Sequence, residues 1–260
     1  MTPAAFKRSI RDLQVWCSSC MVAFSGSDPI GVLIGAKRPS GTLVHRIAVH
    51  PDHRRQGHGR HLLASLGSKL AILGPPRLVA EVPETLAPAC ALFSACGYAQ
   101  EAGLTDYVLP VDARGSTGLA RGGQASHDAG GFVIPVTVDD LAANGLLGDA
   151  HPQACWERSV ETLTARKDEI AGLAVASDER IEAYVLYLTR GLEDAEIVSL
   201  RSLIEDGGTR LQQLLAHLRA RGVTTFRFPK VHAAEIAEAC LETLGFRPAA
   251  AHRRYAARAR

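Results

Sequence analysis

Leu43-Val-His-Arg-Ile-Ala-Val49-His-Pro51-Asp-His-Arg54-Arg-Gln-Gly57-His-Gly59-Arg60-His-Leu62-Leu63 is the stretch that decides how the chain is read. It begins as an apolar strand, passes through a polar loop rich in Arg and Gly, and ends in a helix whose leucines fall at Leu62, Leu63, Leu66 and Leu70. Glycines let such a loop turn its backbone N–H groups inward, and the first turn of a helix carries unpaired donors and a partial charge of about +0.5. That geometry suits a phosphate group. Arg54, Arg55 and Arg60 would add charge-assisted bonds, and a Cβ at Gly57 or Gly59 would fall where the ligand approaches. A Walker loop would need a Lys near Gly59, and a dinucleotide fingerprint would need a small residue in place of Leu62. The plain alternative is a Gly-rich turn that caps a helix and holds nothing.

Outward from this loop, apolar runs bounded by turn residues predict strands at Cys20–Phe24, Ile30–Ala36, Leu43–Val49, Leu78–Val82 and Asp106–Val111, with a hairpin turn at Asp28-Pro29. A helix is predicted from about Leu86 to Cys96, stopping at Gly97. The run from Arg114 to Gly131 is dense in Gly, Ser and Ala and has no period, so it reads as a linker. The expected division is residues 1–112, a linker over 113–131, and residues 132–260. After the linker the succession returns: strands at Phe132–Val136, Gly172–Ala176, Ile181–Thr189 and Glu196–Leu203, a helix through Leu211, Leu214, Leu215 and Leu218, a strand at Val223–Phe228, and a helix ending at Gly245. The two helix stops, Leu92-Phe93-Ser-Ala-Cys-Gly97-Tyr98 and Cys240-Leu241-Glu-Thr-Leu-Gly245-Phe246, argue for an internal duplication.

Composition narrows the class of protein. The 260 residues are 47% hydrophobic and 22% charged with a formal net charge of +2, which is globular composition without a general nucleic-acid footprint. Arg253, Arg254, Arg258 and Arg260 at the C-terminus read as a solvated basic tail rather than a nucleic-acid site. The six cysteines are too scattered for a disulfide scaffold and fit a reducing cytoplasm, and Cys17/Cys20 has no second pair to complete a zinc site. Five of the ten histidines lie between His45 and His61, but their spacings lack a metal-ligating pattern, so no metal is expected. No apolar run approaches about 18 residues, and the first 16 read as an amphipathic helix, so a soluble, unexported protein without a membrane partner is expected.

Arg54-Arg55-Gln56-Gly57-His58-Gly59 resembles the [QR]-x-x-G-x-[GA] motif of the GNAT acyltransferases, the GCN5-related N-acetyltransferases, and Val49-His50-Pro51 is similar to the V-x-P that ends the family's preceding strand. Leu92-Phe93 through Gly97-Tyr98 is similar to a further family signature, so the resemblance covers most of residues 19–110. It implies an α/β (α+β) fold of two GNAT-like domains, each a mixed, mostly antiparallel sheet flanked by helices. Acetyl-CoA would lie where the sheet splays, its diphosphate on the amides of Gln56, Gly57, His58, Gly59 and Arg60 and near Arg54, its pantetheine arm beside Ile47, Ala48 and Val49. The implied reaction is direct transfer of acetyl from the thioester to an amine of a small molecule or a protein, the alternative being a non-catalytic CoA-binding module. In the first copy only one helix-like stretch precedes Cys20, where the family has a strand and two helices, which implies a smaller sheet or an edge completed by the second half.

Such chemistry needs a neutral amine, a donor to the thioester oxygen and a proton for the thiolate. The helix position at which many family members carry a tyrosine acid is Phe93 here, leaving Tyr98 and Tyr107 as substitutes, either of which would equally serve as a core or strand tyrosine. For the base, strand alternation places His45 on one face with Ile47 and Val49, and Glu81 lies in the next strand. A water relay, or a merely polar sheet face, is the alternative. The second copy carries Glu205-Asp206-Gly207-Gly208-Thr209-Arg210 in place of the phosphate loop, and two carboxylates repel a diphosphate, so this half is expected to keep the fold without the cofactor. The assembly expected is a monomer of pseudo-dimeric halves or a homodimer.

Overall fold

The structure is a computed structural model that describes residues 2–110, 131–147, 154–191 and 193–260. All of the expected linker except Gly131 lies outside them. The elements run α1 (Pro3–Asp12), β1 (Met21–Ser25), β2 (Asp28–Arg38), β3 (Gly41–Val49), α2 (His58–Leu73), β4 (Arg77–Pro83), α3 (Ala87–Ala95) and β5 (Ala99–Leu109). They continue with β6 (Phe132–Pro135), α4 (Val138–Ala143), α5 (Val160–Ala165), β7 (Ala171–Ala176), β8 (Ile181–Thr189), β9 (Asp194–Ser202), α6 (Thr209–Ala220), β10 (Thr225–Val231), α7 (Glu238–Thr243) and β11 (Arg247–Arg258). Contacts group these into two units: residues 1–104, 155–157 and 251–260 form one, and residues 105–154 and 158–250 the other.

In unit 1 the strand order is β1-β2-β3-β4-β11. Strands β1 to β3 are antiparallel, and the turn between β1 and β2 is Gly26-Ser27, with Ser25 opposite Asp28. Asp28-Pro29, expected as the turn, is therefore the start of β2, where proline is tolerated near the first residue of a strand and beside the register shift at Ala23/Phe24. Strand β3 runs parallel to β4 for two pairs only, Thr42–Leu78 and Leu43–Val79, and the two strands then part. Beyond β4 comes β11, antiparallel over the whole of Arg77–Pro83. The basic tail expected from sequence is thus a sheet strand: Tyr255 and Ala257 alternate into the core while Arg253 reaches Glu84 at 3.3 Å. Helix α2 lays Leu62, Leu63, Leu66 and Leu70 on this core with Phe93 and Tyr98, each buried leucine contributing about 1.5–3 kcal/mol.

Unit 2 has the order β5-β10-β9-β8-β7-β6, in which the β5 segment that contributes is 105–109. Its one parallel pair is β9 with β10, over Thr225–Asp194, Phe226–Ala195 and Arg227–Glu196. Helix α6 buries Leu211, Leu214, Leu215 and Leu218 against this sheet, as α2 does in unit 1. The two helix stops that suggested duplication also share their geometry. Gly97 and Gly245 have φ of 79° and 88°, and the amides of Tyr98 and Phe246 reach back five residues to the carbonyls of Phe93 and Leu241.

Candidate functional site

The loop between β3 and α2 is built to present donors. Gly57, the residue before the helix, has φ 88°, a conformation that favours glycine, and no side chain caps the helix. The N–H of Arg54 goes to Pro51 O at 3.2 Å and that of His61 to Gly57 O at 2.9 Å. Between them, the backbone N–H groups of Arg55, Gln56, Gly57, His58, Gly59 and Arg60 have no hydrogen-bond partner among the described residues. Arg54 Nε donates to Val49 O at 3.1 Å and ties the loop to the strand end, and Gln56 Nε2 donates to Asp52 O at 3.2 Å. A Cβ at Gly59 would meet Leu92 Cδ2 at 3.1 Å, where α2 packs against α3. The His50, His53 and His58 rings meet edge to face at 5.9 and 6.2 Å.

Beside this loop lies the fork. Past Leu43 and Val79 the facing edges of β3 and β4 are unpaired with each other, so Ile47, Ala48 and Val49 line an open strand edge. His45 sits in a β-bulge: Ile34 pairs with Arg46 and Gly35 with Val44, leaving His45 as the extra residue. The bulge shifts the strand's alternation, so that Val44 and Ile47 both pack on the α2 core. This corrects the simple alternation that put His45 on one face with Ile47 and Val49. Opposite the bulge, Gly35 leaves room for the backbone of Ser19, since a Cβ there would meet Ser19 O at 2.4 Å.

Glu81, between Ala80 and Val82 of that core, projects to the opposite face of the sheet. Its carboxylate accepts the N–H of Trp156 at 2.9 Å. Trp156 is itself 7% exposed, donates its indole N–H to Leu13 O at 3.0 Å, and lies 3.9 Å beneath the Arg38 guanidinium. Residues 155–157 are thereby pinned in unit 1, and ligand atoms of Glu81, Cys155 and Glu157 come within 4.8 Å of one another. Nothing in the sequence signalled this arrangement, since the partners are far apart along the chain.

Tyr98 lies on the sheet face opposite Glu81. It packs edge-on against Phe93 at 5.2 Å in the core shared by Ala80 and Val82, and its buried hydroxyl has no hydrogen-bond partner among the described residues. Burial, and then the neighbouring Cys96 thiol, push its pKa well above the usual phenol value. Tyr107 belongs to unit 2, in the core with Phe228, and its pKa is raised by burial and then by Glu238.

The corresponding places in unit 2 are filled. Gly208 precedes α6 with φ 88°, but Asp206 turns back on the loop, its carboxylate accepting Gly208 N–H at 2.9 Å and Arg210 N–H at 2.7 Å. At the parting of β9 and β10, Arg158 pairs with Glu235 at 2.8 and 2.6 Å and donates to the carbonyls of Pro229 and Lys230. With Ser199, Leu200, Arg201 and Phe228 these two line a cavity of about 90 Å³.

Residues 3–98 match the model of the acetyltransferase (GNAT) family. Among solved structures, a tandem GNAT protein from the clavulanic acid biosynthesis pathway, determined without acetyl-CoA, is 20% identical over 97% of this chain and 87% of its own, with a TM-score of 0.64. The GCN5-related N-acetyltransferase of Sphaerobacter thermophilus is 14% identical over 93% of this chain and 81% of its own, TM-score 0.63. A putative acetyltransferase of Pyrococcus horikoshii is 14% identical over 99% and 78%, TM-score 0.60. A search of curated proteins finds no match. The chain has the GNAT fold, α/β and in tandem. No helix among the described residues is long and apolar enough to cross a membrane.

Proposed function

We propose that unit 1 is an acetyl-CoA-dependent N-acyltransferase that moves acetyl directly from the thioester to an amine of a small molecule or a protein. The observation that carries this reading is the run of open N–H groups from Arg55 to Arg60 at the start of a 16-residue helix, beside a sheet whose strands part after two pairs. Unpaired amides at a helix start fit a diphosphate. The amides of Gln56, Gly57, His58, Gly59 and Arg60 grip it, Arg54 holds the loop against Val49, and the open edge at Ile47, Ala48 and Val49 takes the pantetheine arm as a strand would. The cofactor supplies the activated acyl group. A strand amide such as that of Val49 then serves the thioester oxygen as charge develops.

The amine must lose a proton as the C–N bond forms, and the departing thiolate must gain one. Glu81 and His45 flank the fork and are the proton acceptors proposed, with water completing the relay. Phe93, buried and without a hydroxyl, and Tyr98, packed edge-on against it in the same core, leave the thiolate to water. Phe93 is also the observation that favours the second reading, CoA binding without turnover. In unit 2 the Asp206 carboxylate and the Arg158–Glu235 pair hold the two places a cofactor would need.

Calorimetric titration with acetyl-CoA and a thiol-release assay across an amine panel separate the readings. An N-acyltransferase binds and releases thiol only with an amine present, and Glu81→Gln slows release without weakening binding. Binding with no release from any amine leaves the module, and no binding at all removes both.

A further inference from the structure

The cavity of about 90 Å³ in unit 2 lies on the sheet face that carries α4 and α5, and strand pairing fixes which side chains of β9 face it. Across the β8–β9 ladder Ser199 stands opposite Leu186 and Arg201 opposite Tyr184, and Leu186 and Tyr184 both belong to the core under α4 and α5. Directly opposed residues share a face, so Ser199 and Arg201 project to that side, while Leu200 between them packs on the other core. Both line the cavity with Tyr184, Leu147 and Leu163. Val198 is the extra residue of a bulge in β9 as His45 is in β3, so Arg201, three residues beyond, stands where unit 1 has Ala48. The first copy has no counterpart of this guanidinium.

The charges at the cavity do not balance. Among the described residues Glu235 is the one carboxylate lining it, and both its oxygens are engaged: Oε2 accepts Arg158 Nε–H at 2.8 Å, and Oε1 accepts Arg158 Nη2–H at 2.6 Å and the backbone N–H of His232 at 2.9 Å. Arg158 is thereby neutralised, whereas the half-buried Arg201 has no ion pair or hydrogen bond among the described residues. A guanidinium withdrawn from water gains most from a planar anion that it can bind with two N–H groups. Hydroxyls stand beside it: that of Tyr184 donates to Leu146 O at 3.3 Å, and that of Ser199 lies a long 3.5 Å from it, able to turn to a better acceptor. We propose that unit 2 is a binding domain for a short aliphatic monocarboxylate. Arg201 and the Ser199 hydroxyl hold the carboxylate, and Leu147 and Leu163 take the chain, an apolar site with few polar groups. At a water's share of about 30 Å³ the space holds about three waters, or a chain of a few carbons. An α-amino acid fits badly, because the carboxylate that would meet its ammonium is spent on Arg158. The assignment does not depend on unit 1 binding acetyl-CoA.

The test titrates the full chain with propionate, alanine and propylamine, read by ligand-observed NMR. Propionate is expected to bind, and alanine and propylamine to bind at least about tenfold more weakly. Arg201→Gln should weaken propionate about tenfold or more while holding or raising the melting temperature without ligand, since it removes a half-buried cation that has no partner among the described residues. Ser199→Ala should weaken it a few-fold. Propionate that does not bind, or binds no better than alanine or propylamine, overturns the assignment. So does propionate binding that survives Arg201→Gln, which would place the anion elsewhere, on the open amides of unit 1 for instance. Should Arg201→Gln fail to fold, Ser199→Ala decides in its place: weakened propionate supports the site, and unchanged propionate overturns it.

Discussion

Helices α2 and α6 both begin behind a glycine at φ 88°, and both lay four leucines on a sheet whose parallel pair soon parts. They differ in what happens to the donors of the first turn. In unit 1 those from Arg55 to Arg60 stay open, and in unit 2 the Asp206 carboxylate takes two of theirs. Two other helix starts of unit 2 are capped, α4 by the Thr137–Asp140 capping box and α5 by Ser159, while α7 has no side-chain cap. Unit 1 leaves α2 and α3 without a side-chain cap. Open donors cost stability, and an anion bound at the start of α2 would complete those that unit 1 leaves open.

The forks carry the largest expected effect. Arg158 has a side chain 4% exposed, and it fills the parting of β9 and β10 together with Glu235. Arg158→Ala would strand a half-buried carboxylate and should cost about 3–5 kcal/mol, read as a fall in urea midpoint. Replacing both residues by Leu should come out near neutral. If Arg158→Ala is tolerated, the pair is not what keeps this fork filled, and the contrast with the open fork of unit 1 weakens.

The next effect makes the first loop resemble the second. Counted back from the glycine before each helix, Arg55 stands where Asp206 stands, and aspartate tolerates the positive φ found at Arg55, 64°. Arg55→Asp should lower acetyl-CoA affinity about 100-fold, through lost attraction and a carboxylate competing for the same amides, with the melting temperature held or raised. Unchanged affinity by calorimetry would show that the open donors are not the anion site.

Much of this contrast was legible beforehand, for definable reasons. Helical leucine spacing and apolar runs are local signals, and they placed α2, α6 and β8 well. The charge reversal from Arg54-Arg55 to Glu205-Asp206 was visible as electrostatics, though whether Asp206 would repel a ligand or replace it depends on a backbone turn that sequence alone does not draw. Strand β11 was hidden because four arginines in eight residues look solvated, and only the pairing with β4 makes Arg254 a buried strand residue. The bulge at His45 is a feature of the register between β2 and β3, and strict alternation along β3 cannot reveal it. Trp156 at Glu81 and Arg158 at Glu235 are long-range pairings with no local signature.

The smallest effect runs the comparison in reverse. Asp206→Ala removes the acceptor for Gly208 and Arg210, so it should cost about 1–2 kcal/mol, the usual loss for a helix cap, by chemical denaturation. The freed donors should then recover part of that cost when phosphate is added, giving the variant a phosphate-dependent rise in melting temperature that wild type lacks at unit 2. The full affinity of unit 1 is not expected to return, because the Arg158–Glu235 pair still occupies the space between β9 and β10 and Glu205 still stands beside the loop. Binding of acetyl-CoA to unit 2 in this single variant would mean that the cap alone, and not the filled fork, separates the two copies.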